Sequence, residues 1–194
     1  MSAGEDKSER YDRQIRLWGE EGQMALENCR MCALGAGAAV TETLKNLVLP
    51  GVGSFTVVDA AVVRQEDLGN NFFYETQDVG KPRAEASMLR LAELNENVEA
   101  HCRVEDPGVL VARTPEFFDG FDVVLAGGLA GKSLRLLGEV LWEKGIPLVV
   151  VRAYGMLGYV RLEKRGHCVL NRKEDFGVPD LGLWRAIPGM AEYV

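Results

Sequence analysis

Histidine, cysteine and basic charge are all scarce in this chain of 194 residues. It contains 2 histidines and 4 cysteines, and its 29 acidic residues outnumber the 22 lysines and arginines to give a net charge of −7. Nucleic acids and anionic membranes attract basic surfaces, so this charge argues against both as partners. The few histidines and cysteines also leave little material for a zinc centre.

Long apolar segments are missing as well. The longest notable apolar run, IPLVVV, is too short to cross a bilayer, and the charged start MSAGEDKSERYD lacks the apolar core of a signal peptide. With 47% hydrophobic and 26% charged residues, the composition is typical of a soluble globular protein. We expect reduced thiols in an intracellular protein, located in the cytoplasm, the nucleus or both.

Two of the cysteines, Cys29 and Cys32, have the C-x-x-C spacing found in zinc and redox sites. A structural zinc needs four ligands, and the other cysteines and both histidines are isolated in the sequence. Cys32 lies in the apolar run CRMCALGAG, where a small thiol packs well. We interpret both cysteines as packing residues and expect no metal site.

Apolar runs and amphipathic runs alternate along most of the chain. The strand-like runs are RMCALGAG, SFTVVD, VEAHCRV, FDVVLAGG, IPLVVVRAYG and MLGYVRLE. The helix-like runs are YDRQIRLWGEEGQMALENC before the first strand, then TETLKNLVL, GKPRAEASMLRLAELN and KSLRLLGEVLWEKG. Such alternation predicts a Rossmann-like α/β fold: a mostly parallel sheet with helices on both faces, preceded by an N-terminal helix.

The pattern also predicts the domain boundaries. Residues 1–9 are expected to be a polar leader and residues 10–165 one α/β domain. In residues 166–194 the periodicity fades among prolines and glycines, so an irregular tail is expected there.

The stretch LGAGAAVTE, followed by Asp59 after the next strand, is close to a dinucleotide-binding fingerprint. Gly35 would form the tight turn and Gly37 would let the backbone approach a pyrophosphate, but Val40 stands where a third glycine is expected. Asp59 lies where an acid bonds a ribose hydroxyl. These residues indicate the fold, and they leave open whether a nucleotide binds or the glycines serve only the turn. We expect the other acidic residues to be solvated on helix faces.

Several stretches together resemble the ThiF/ubiquitin-activating superfamily of adenylating enzymes. They are RYDRQIRLWGEEGQMALE, LKNLVLPGVGSFTVVD, GNNFF, VGKPRAEA and IPLVVVRAYGMLGYVR. Within it, NLVLPGVGSF, GNNFF and SLRL with a following VLW most resemble the regulatory, non-catalytic subunits of the heterodimer that activates the modifier of neddylation. YDRQIRLWG is also typical of the subunit that serves SUMO, so the modifier stays open between the two.

Catalytic members of this superfamily bind MgATP and adenylate the C-terminal glycine of the modifier. The resemblance implies a second acid two residues after Asp59, where Ala61 stands, and an aspartate that helps to hold magnesium, in the region of Leu129. Magnesium stabilises phosphate charge in such reactions. We therefore expect no cofactor bound by this chain itself.

The phosphate-binding residues of catalytic members are replaced too. Asn70 and Asn71 stand in place of an arginine–glutamine pair, and Arg83 stands in place of a lysine. A guanidinium is a poor geometric substitute for an ammonium group. The resemblance implies a pseudo-adenylation domain in which Gly35, Gly37, Asp59 and Arg83 are remnants of a nucleotide pocket.

The resemblance further implies a function carried out with a catalytic partner subunit that holds MgATP. In this superfamily an arginine of the first helix reaches the ATP bound by the other subunit; here that residue is Arg13, with Gln14 and Arg16 as lesser candidates. Cys168 is not expected to be the thiol that carries the modifier. Regulatory subunits of this kind are longer, so residues 166–194 would be the start of a truncated insertion.

Two alternative functions remain on the sequence alone. One is a self-sufficient adenylating homodimer that activates a sulfur carrier, which would bind MgATP by itself. The other is an NAD-dependent oxidoreductase, which would depend on Gly35, Gly37 and Asp59. A shared fold does not imply a shared function, so ligand binding is needed to separate them.

Overall fold

The computed structural model describes residues 3–166 of the chain. The helices are α1 (Ala3–Glu27), α2 (Ala38–Val48), α3 (Arg83–Ala92), α4 (Pro107–Arg113) and α5 (Gly131–Lys144). The strands are β1 (Arg30–Leu34), β2 (Ser54–Val58), β3 (Glu99–Arg103), β4 (Val123–Ala126), β5 (Leu148–Tyr154) and β6 (Leu157–Glu163). Short 3-10 helices cover Gln65–Gly69, Thr76–Asp78 and Pro115–Gly120.

The six strands form one sheet in the order β3-β2-β1-β4-β5-β6. The first five strands are parallel, and β6 pairs with β5 in the antiparallel direction. β1 and β2 are joined through α2 in the predicted βαβ unit, with Arg30 opposite Ser54 and Leu34 opposite Val58. The predicted Rossmann-like fold is confirmed.

Apolar side chains pack on both faces of the inner strands β1, β2, β4 and β5, which explains why those strands are mostly apolar runs. Alternate residues of β1 point to opposite faces. Met31 and Ala33 belong to the core beneath α2 and α3, whereas Cys32 and Leu34 belong to the core beneath α4 and α5. α2 buries Val40, Thr41, Leu44 and Val48 on one side, at the spacing of an amphipathic helix.

Two helices differ from the sequence expectation. α1 begins at Ala3, inside the segment expected to be a polar leader, and it is interrupted at Gly19, which has φ 77° and ψ 170°. α4 was not expected at all. It has only seven residues, begins with a proline, and is capped by the Asp106 side chain, which accepts a hydrogen bond from Val109 N at 2.9 Å.

The outer strand β6 is largely exposed on both faces. Leu157, Val160 and Leu162 each have more than half of their surface exposed, at 74%, 73% and 54%. The expected tail begins at Gly166, and residues 167–194, including Cys168, lie outside the described part of the chain. None of the helices between residues 3 and 166 is long and apolar enough to span a membrane.

Candidate functional site

A cleft of about 920 Å³ opens at the carboxyl ends of the parallel strands. Its walls come from the segments that follow β1, β2, β3 and β4 and from the end of β5. β1 and β4 are neighbours in the sheet, but β1 continues to β2 on one side and β4 to β5 on the other. In open α/β sheets, ligands bind at this kind of switch point.

The two glycines of the loop after β1 serve different purposes. Gly35 has φ +89°, and a Cβ added there would lie 2.3 Å from the carbonyl oxygen of Gly127. Its backbone conformation and its close contact with Gly127, the residue after β4, both require glycine. Gly37 precedes α2 with φ −75°, and no atom of the described chain lies within 4 Å of its added Cβ. The packing of the chain therefore requires Gly35 but does not require Gly37.

The Val40 side chain occupies the space left by the missing side chain of Gly127. The Val40 side chain is buried, and its Cγ2 atom lies 2.4 Å from the position that a Cβ of Gly127 would occupy. The third glycine of a dinucleotide fingerprint permits close packing of helix on strand. Here Gly127 after β4 permits that packing, so a valine is accommodated in α2.

Asp59 holds the glycine loop from inside the protein. Its Oδ2 atom accepts a hydrogen bond from Ala36 N at 2.7 Å, and its Oδ1 atom accepts one from Ala61 N at 2.7 Å. The residue is buried, with 8% of its surface exposed. The acid predicted to bond a ribose thus already accepts hydrogen bonds from the backbone of its own chain.

Tyr74 and Asn71 support the same loop. The Tyr74 hydroxyl donates to the Ala36 carbonyl at 2.7 Å and therefore accepts from the Ser87 hydroxyl, 2.8 Å away. Burial raises the pKa of Tyr74 to about 12, so it is a neutral donor at physiological pH. Asn71 makes a longer contact of 3.4 Å to the same carbonyl and receives a hydrogen bond from Phe73 N. Both main-chain groups of Ala36 are therefore bonded.

Arg83 lies on the cleft wall in a bidentate ion pair with Asp67. Its Nη2 atom is 2.6 Å from Oδ1 and 2.7 Å from Oδ2, and its Nε atom is 3.1 Å from Oδ2. The two side chains are 21% and 11% exposed. Burial acts to raise the pKa of Asp67, but the hydrogen bonds and charge of Arg83 outweigh it, so this pKa is below its usual value.

Other residues of the cleft wall also make contacts within the chain. Leu129, in the region where a magnesium aspartate would stand, is buried in the core beneath α5. Its carbonyl accepts a hydrogen bond from Arg152 at 2.6 Å. Asp106 caps α4. Between residues 3 and 166, no group of three or more histidine, cysteine, aspartate or glutamate side chains could hold a metal ion.

Arg13 lies at the other end of the sheet. Two residues before it, the Tyr11 hydroxyl accepts a hydrogen bond from Asn95 at 2.9 Å, and Asn95 also donates to the Val48 carbonyl at the end of α2. These groups precede β2 and β3, whereas the cleft follows them. A five-residue strand spans about 16 Å. Arg13 is exposed, and the contacts of Tyr11 place it near the amino ends of β2 and β3, away from the cleft of its own chain.

The two neighbouring candidates, Gln14 and Arg16, are less available than Arg13 for contact with another molecule. Arg16 forms an ion pair with Asp12, four residues earlier on α1, at 2.9 Å. Gln14 is half-buried. Of the three candidates on α1, Arg13 is therefore the one best placed to contact another molecule.

The cysteines fit the packing interpretation. Cys29, Cys32 and Cys102 are free thiols, and Cys32 is fully buried in β1. Burial raises the pKa of all three, so their thiols are less reactive than an exposed cysteine.

One sequence expectation about acidic residues is wrong. Asp67 and Asp78 are not solvated on helix faces. Counted as whole residues they are 8% and 4% exposed, and each accepts hydrogen bonds within the segment between β2 and α3. Tyr74 was also missed as a loop anchor. The only signal for Asp67 was its place shortly before GNNFF, since its partner Arg83 is 16 residues away in the sequence.

Sequence comparison identifies a family and several related proteins. The model of the ThiF family matches residues 11–174. The chain is 45% identical to the NEDD8-activating enzyme E1 regulatory subunit of Xenopus laevis over 188 residues, covering 97% of this chain and 35% of that protein. It is 46% identical to the Drosophila melanogaster counterpart, with 97% and 36% covered. For the Arabidopsis thaliana subunit AXR1 the identity is 41%, with 95% and 34% covered.

Solved structures with the same fold are more distant in sequence. PaaA superimposes with a TM-score of 0.68 at 22% identity, covering 80% of this chain and 52% of that one. The tRNA N6-threonylcarbamoyladenosine dehydratase TcdA of E. coli, solved in complex with ATP, gives a TM-score of 0.66 at 20% identity, with 74% and 58% covered. The chain spans about a third of the length of the curated relatives that it matches.

Proposed function

The chain belongs to the ThiF family, and we propose that it is the non-catalytic adenylation-type domain of a NEDD8-activating enzyme, acting as the regulatory subunit beside a catalytic one. Identity above 40% over nearly the whole chain to proteins named as regulatory subunits supports this function. The catalytic subunit would bind MgATP, adenylate the modifier and carry the reactive cysteine.

The observation that carries the proposal is that the charged side chains described on the cleft wall already bond to the chain itself. Asp59 accepts hydrogen bonds from two backbone N–H groups, Arg83 is paired with Asp67, and Asp106 caps α4. Adenylation depends on cations and dipoles aimed at phosphate charge. A cleft whose guanidinium already faces a carboxylate is poorly suited to that chemistry.

Retention of the cleft has a structural explanation. The turn at Gly35 and the bonds to Ala36 join β1, β2 and the segment before α3. These contacts hold the three segments together through groups of the chain itself. A domain that pairs with a catalytic subunit needs this rigid surface even when it performs no chemistry.

We propose that Arg13 contacts the ATP bound by the partner subunit. Its exposure on α1, at the end of the sheet away from its own cleft, suits an arginine that contacts ATP held by another subunit. Guanidinium groups supplied in trans stabilise phosphate charge in other enzymes. The proposed domain arrangement is an α/β domain up to about residue 165 with an N-terminal helix that faces the partner.

Isothermal titration of the whole chain with MgATP tests the non-catalytic assignment. We expect no measurable heat of binding at millimolar nucleotide, and none with NAD. Tight MgATP binding would favour the self-sufficient adenylating enzyme instead, and binding of NAD without magnesium would favour an oxidoreductase.

A further inference from the structure

The cleft keeps two features that attract anions. The N-terminus of α2, an 11-residue helix, opens into it at Gly37, where no described side chain caps the helix. Arg83 stands on the same wall, near Asp59 and Tyr74, which bond the two main-chain groups of Ala36. A helix N-terminus and a guanidinium facing one cavity together suit a phosphate group.

The guanidinium of Arg83, however, is already paired with a carboxylate of its own chain. Asp67 accepts hydrogen bonds from it through both carboxylate oxygens at 2.6 to 3.1 Å, the two-point contact that a phosphate also makes with a guanidinium. Among the residues that the structure describes, three carboxylates and two guanidinium groups line the cleft, which leaves one excess negative charge. They are Asp59, Asp67 and Asp106 with Arg83 and Arg152. An incoming polyphosphate would have to displace Asp67 against that charge.

The backbone holds Asp67 in this position. Its Oδ2 atom also accepts a hydrogen bond from Arg64 N at 2.8 Å, which closes the 3-10 helix Gln65–Gly69. The carboxylate is therefore fixed before any ligand arrives and needs no rearrangement to meet Arg83. Asp67 therefore acts as an internal ligand of Arg83, held in place by the backbone and largely buried.

We propose that Asp67 is a built-in anion that occupies Arg83 in place of a phosphate group and thereby excludes polyphosphates from the cleft. This inference rests on the proposed non-catalytic function and names the residue responsible for it. The same ion pair ties the segment between β2 and α3 to the start of α3. The chain thus gains from its own carboxylate the ordering that a nucleotide would otherwise supply.

The test is to remove the charge of Asp67 and keep its shape. Asp67→Asn retains an oxygen for Arg64 N–H but leaves Arg83 without a counter-charge. Binding of inorganic pyrophosphate and of ATP is measured by isothermal titration calorimetry at low ionic strength, on the full chain. We expect Asp67→Asn to bind pyrophosphate at least about tenfold more tightly than the unmodified chain, with an affinity that falls as salt is added.

The chain contains a matched control for this substitution. Asp122 also accepts a backbone N–H and a bidentate guanidinium, those of Arg30, but it lies at the amino ends of β1 and β4, away from the cleft. Asp122→Asn makes the same change in net charge and is expected to leave pyrophosphate binding unchanged. The double variant Asp67→Asn with Arg83→Gln is expected to lose the affinity gained.

Three results would overturn the inference. They are no gain in Asp67→Asn, an equal gain in Asp122→Asn, and a gain that survives removal of Arg83. If Asp67→Asn does not melt cooperatively, Asp67→Ser provides the same test, because serine also offers an acceptor to Arg64 N–H. Binding of MgATP by the unmodified chain would refute the proposed function, whereas its absence together with an inert Asp67→Asn would refute only this inference.

Discussion

Two glycine-to-alanine substitutions that look alike in the sequence are expected to differ strongly in their effect on stability. Gly35→Ala would place a Cβ 2.3 Å from the Gly127 carbonyl oxygen at a residue with φ +89°. The left-handed conformation costs a non-glycine residue about 1–2 kcal/mol, and forcing an extra methyl group into a packed site costs about 1–3 kcal/mol. We therefore expect the free energy of unfolding to fall by about 3 kcal/mol.

Gly37→Ala is the matched control. Its backbone is extended at φ −75° and ψ 166°, and the described chain leaves its Cβ position open. The smaller entropy of the unfolded chain favours alanine by about 0.4–1 kcal/mol, while alanine is a slightly poorer N-cap residue than glycine. The two effects nearly cancel, so we expect a change within about 0.5 kcal/mol.

Thermal and urea denaturation of the two variants measures the difference. At this chain length about 3 kcal/mol corresponds to a fall of roughly 6–12 °C in Tm for Gly35→Ala, with little change for Gly37→Ala. Equal destabilisation by both substitutions, or none by either, would refute the reasoning that Gly35 packs against Gly127 and that Gly37 faces an open cleft.

The remaining predictions concern the groups around the loop and their charges. Tyr74→Phe removes the donor to the Ala36 carbonyl and the acceptor for Ser87, so urea denaturation should show a fall of about 1–3 kcal/mol in the free energy of unfolding. Tyr159→Phe, on the exposed strand β6, is the control and should change that free energy little. The pKa values of Asp67 and Asp78 are lower in the folded chain than usual, so the stability they contribute is complete above the ordinary carboxyl pKa of about 4 and is lost as the pH falls below it. Measured from pH 6 to pH 3, the unfolding free energy of Asp67→Asn should fall less steeply than that of the unmodified chain; an identical slope would contradict the assignment.

The inner strands β1, β2, β4 and β5 could be predicted from the sequence because strands buried on both faces need continuous apolar runs. The helix α5 was equally visible, since its apolar face repeats regularly and Gly145 ends it in a left-handed conformation at φ 72°. α4 was missed because seven residues give too little periodicity to distinguish a short helix from a loop.

The sequence predicted which residues lie at the site but not which groups they contact. Gly35, Gly37, Asp59 and Arg83 were all expected at a nucleotide pocket, and the structure places all four on the cleft wall. What each one does depends on groups distant in sequence: the Gly127 carbonyl for Gly35 and the Asp67 carboxylate for Arg83. Local patterns cannot show such contacts, because the fold brings the partners together.

The central claim is that this chain serves a catalytic partner and performs no adenylation itself. The most direct measurement is modifier-dependent exchange of pyrophosphate into ATP, with the chain alone, with the proposed catalytic subunit and with an Arg13→Ala variant of the pair. We predict no exchange by the chain alone, activity in the pair, and a loss of about 100-fold or more in the pair carrying Arg13→Ala. Arg113→Ala, an exposed charge on α4, should change the rate little. Exchange by the chain alone, or an undiminished rate in an Arg13→Ala pair that still assembles, would contradict the account.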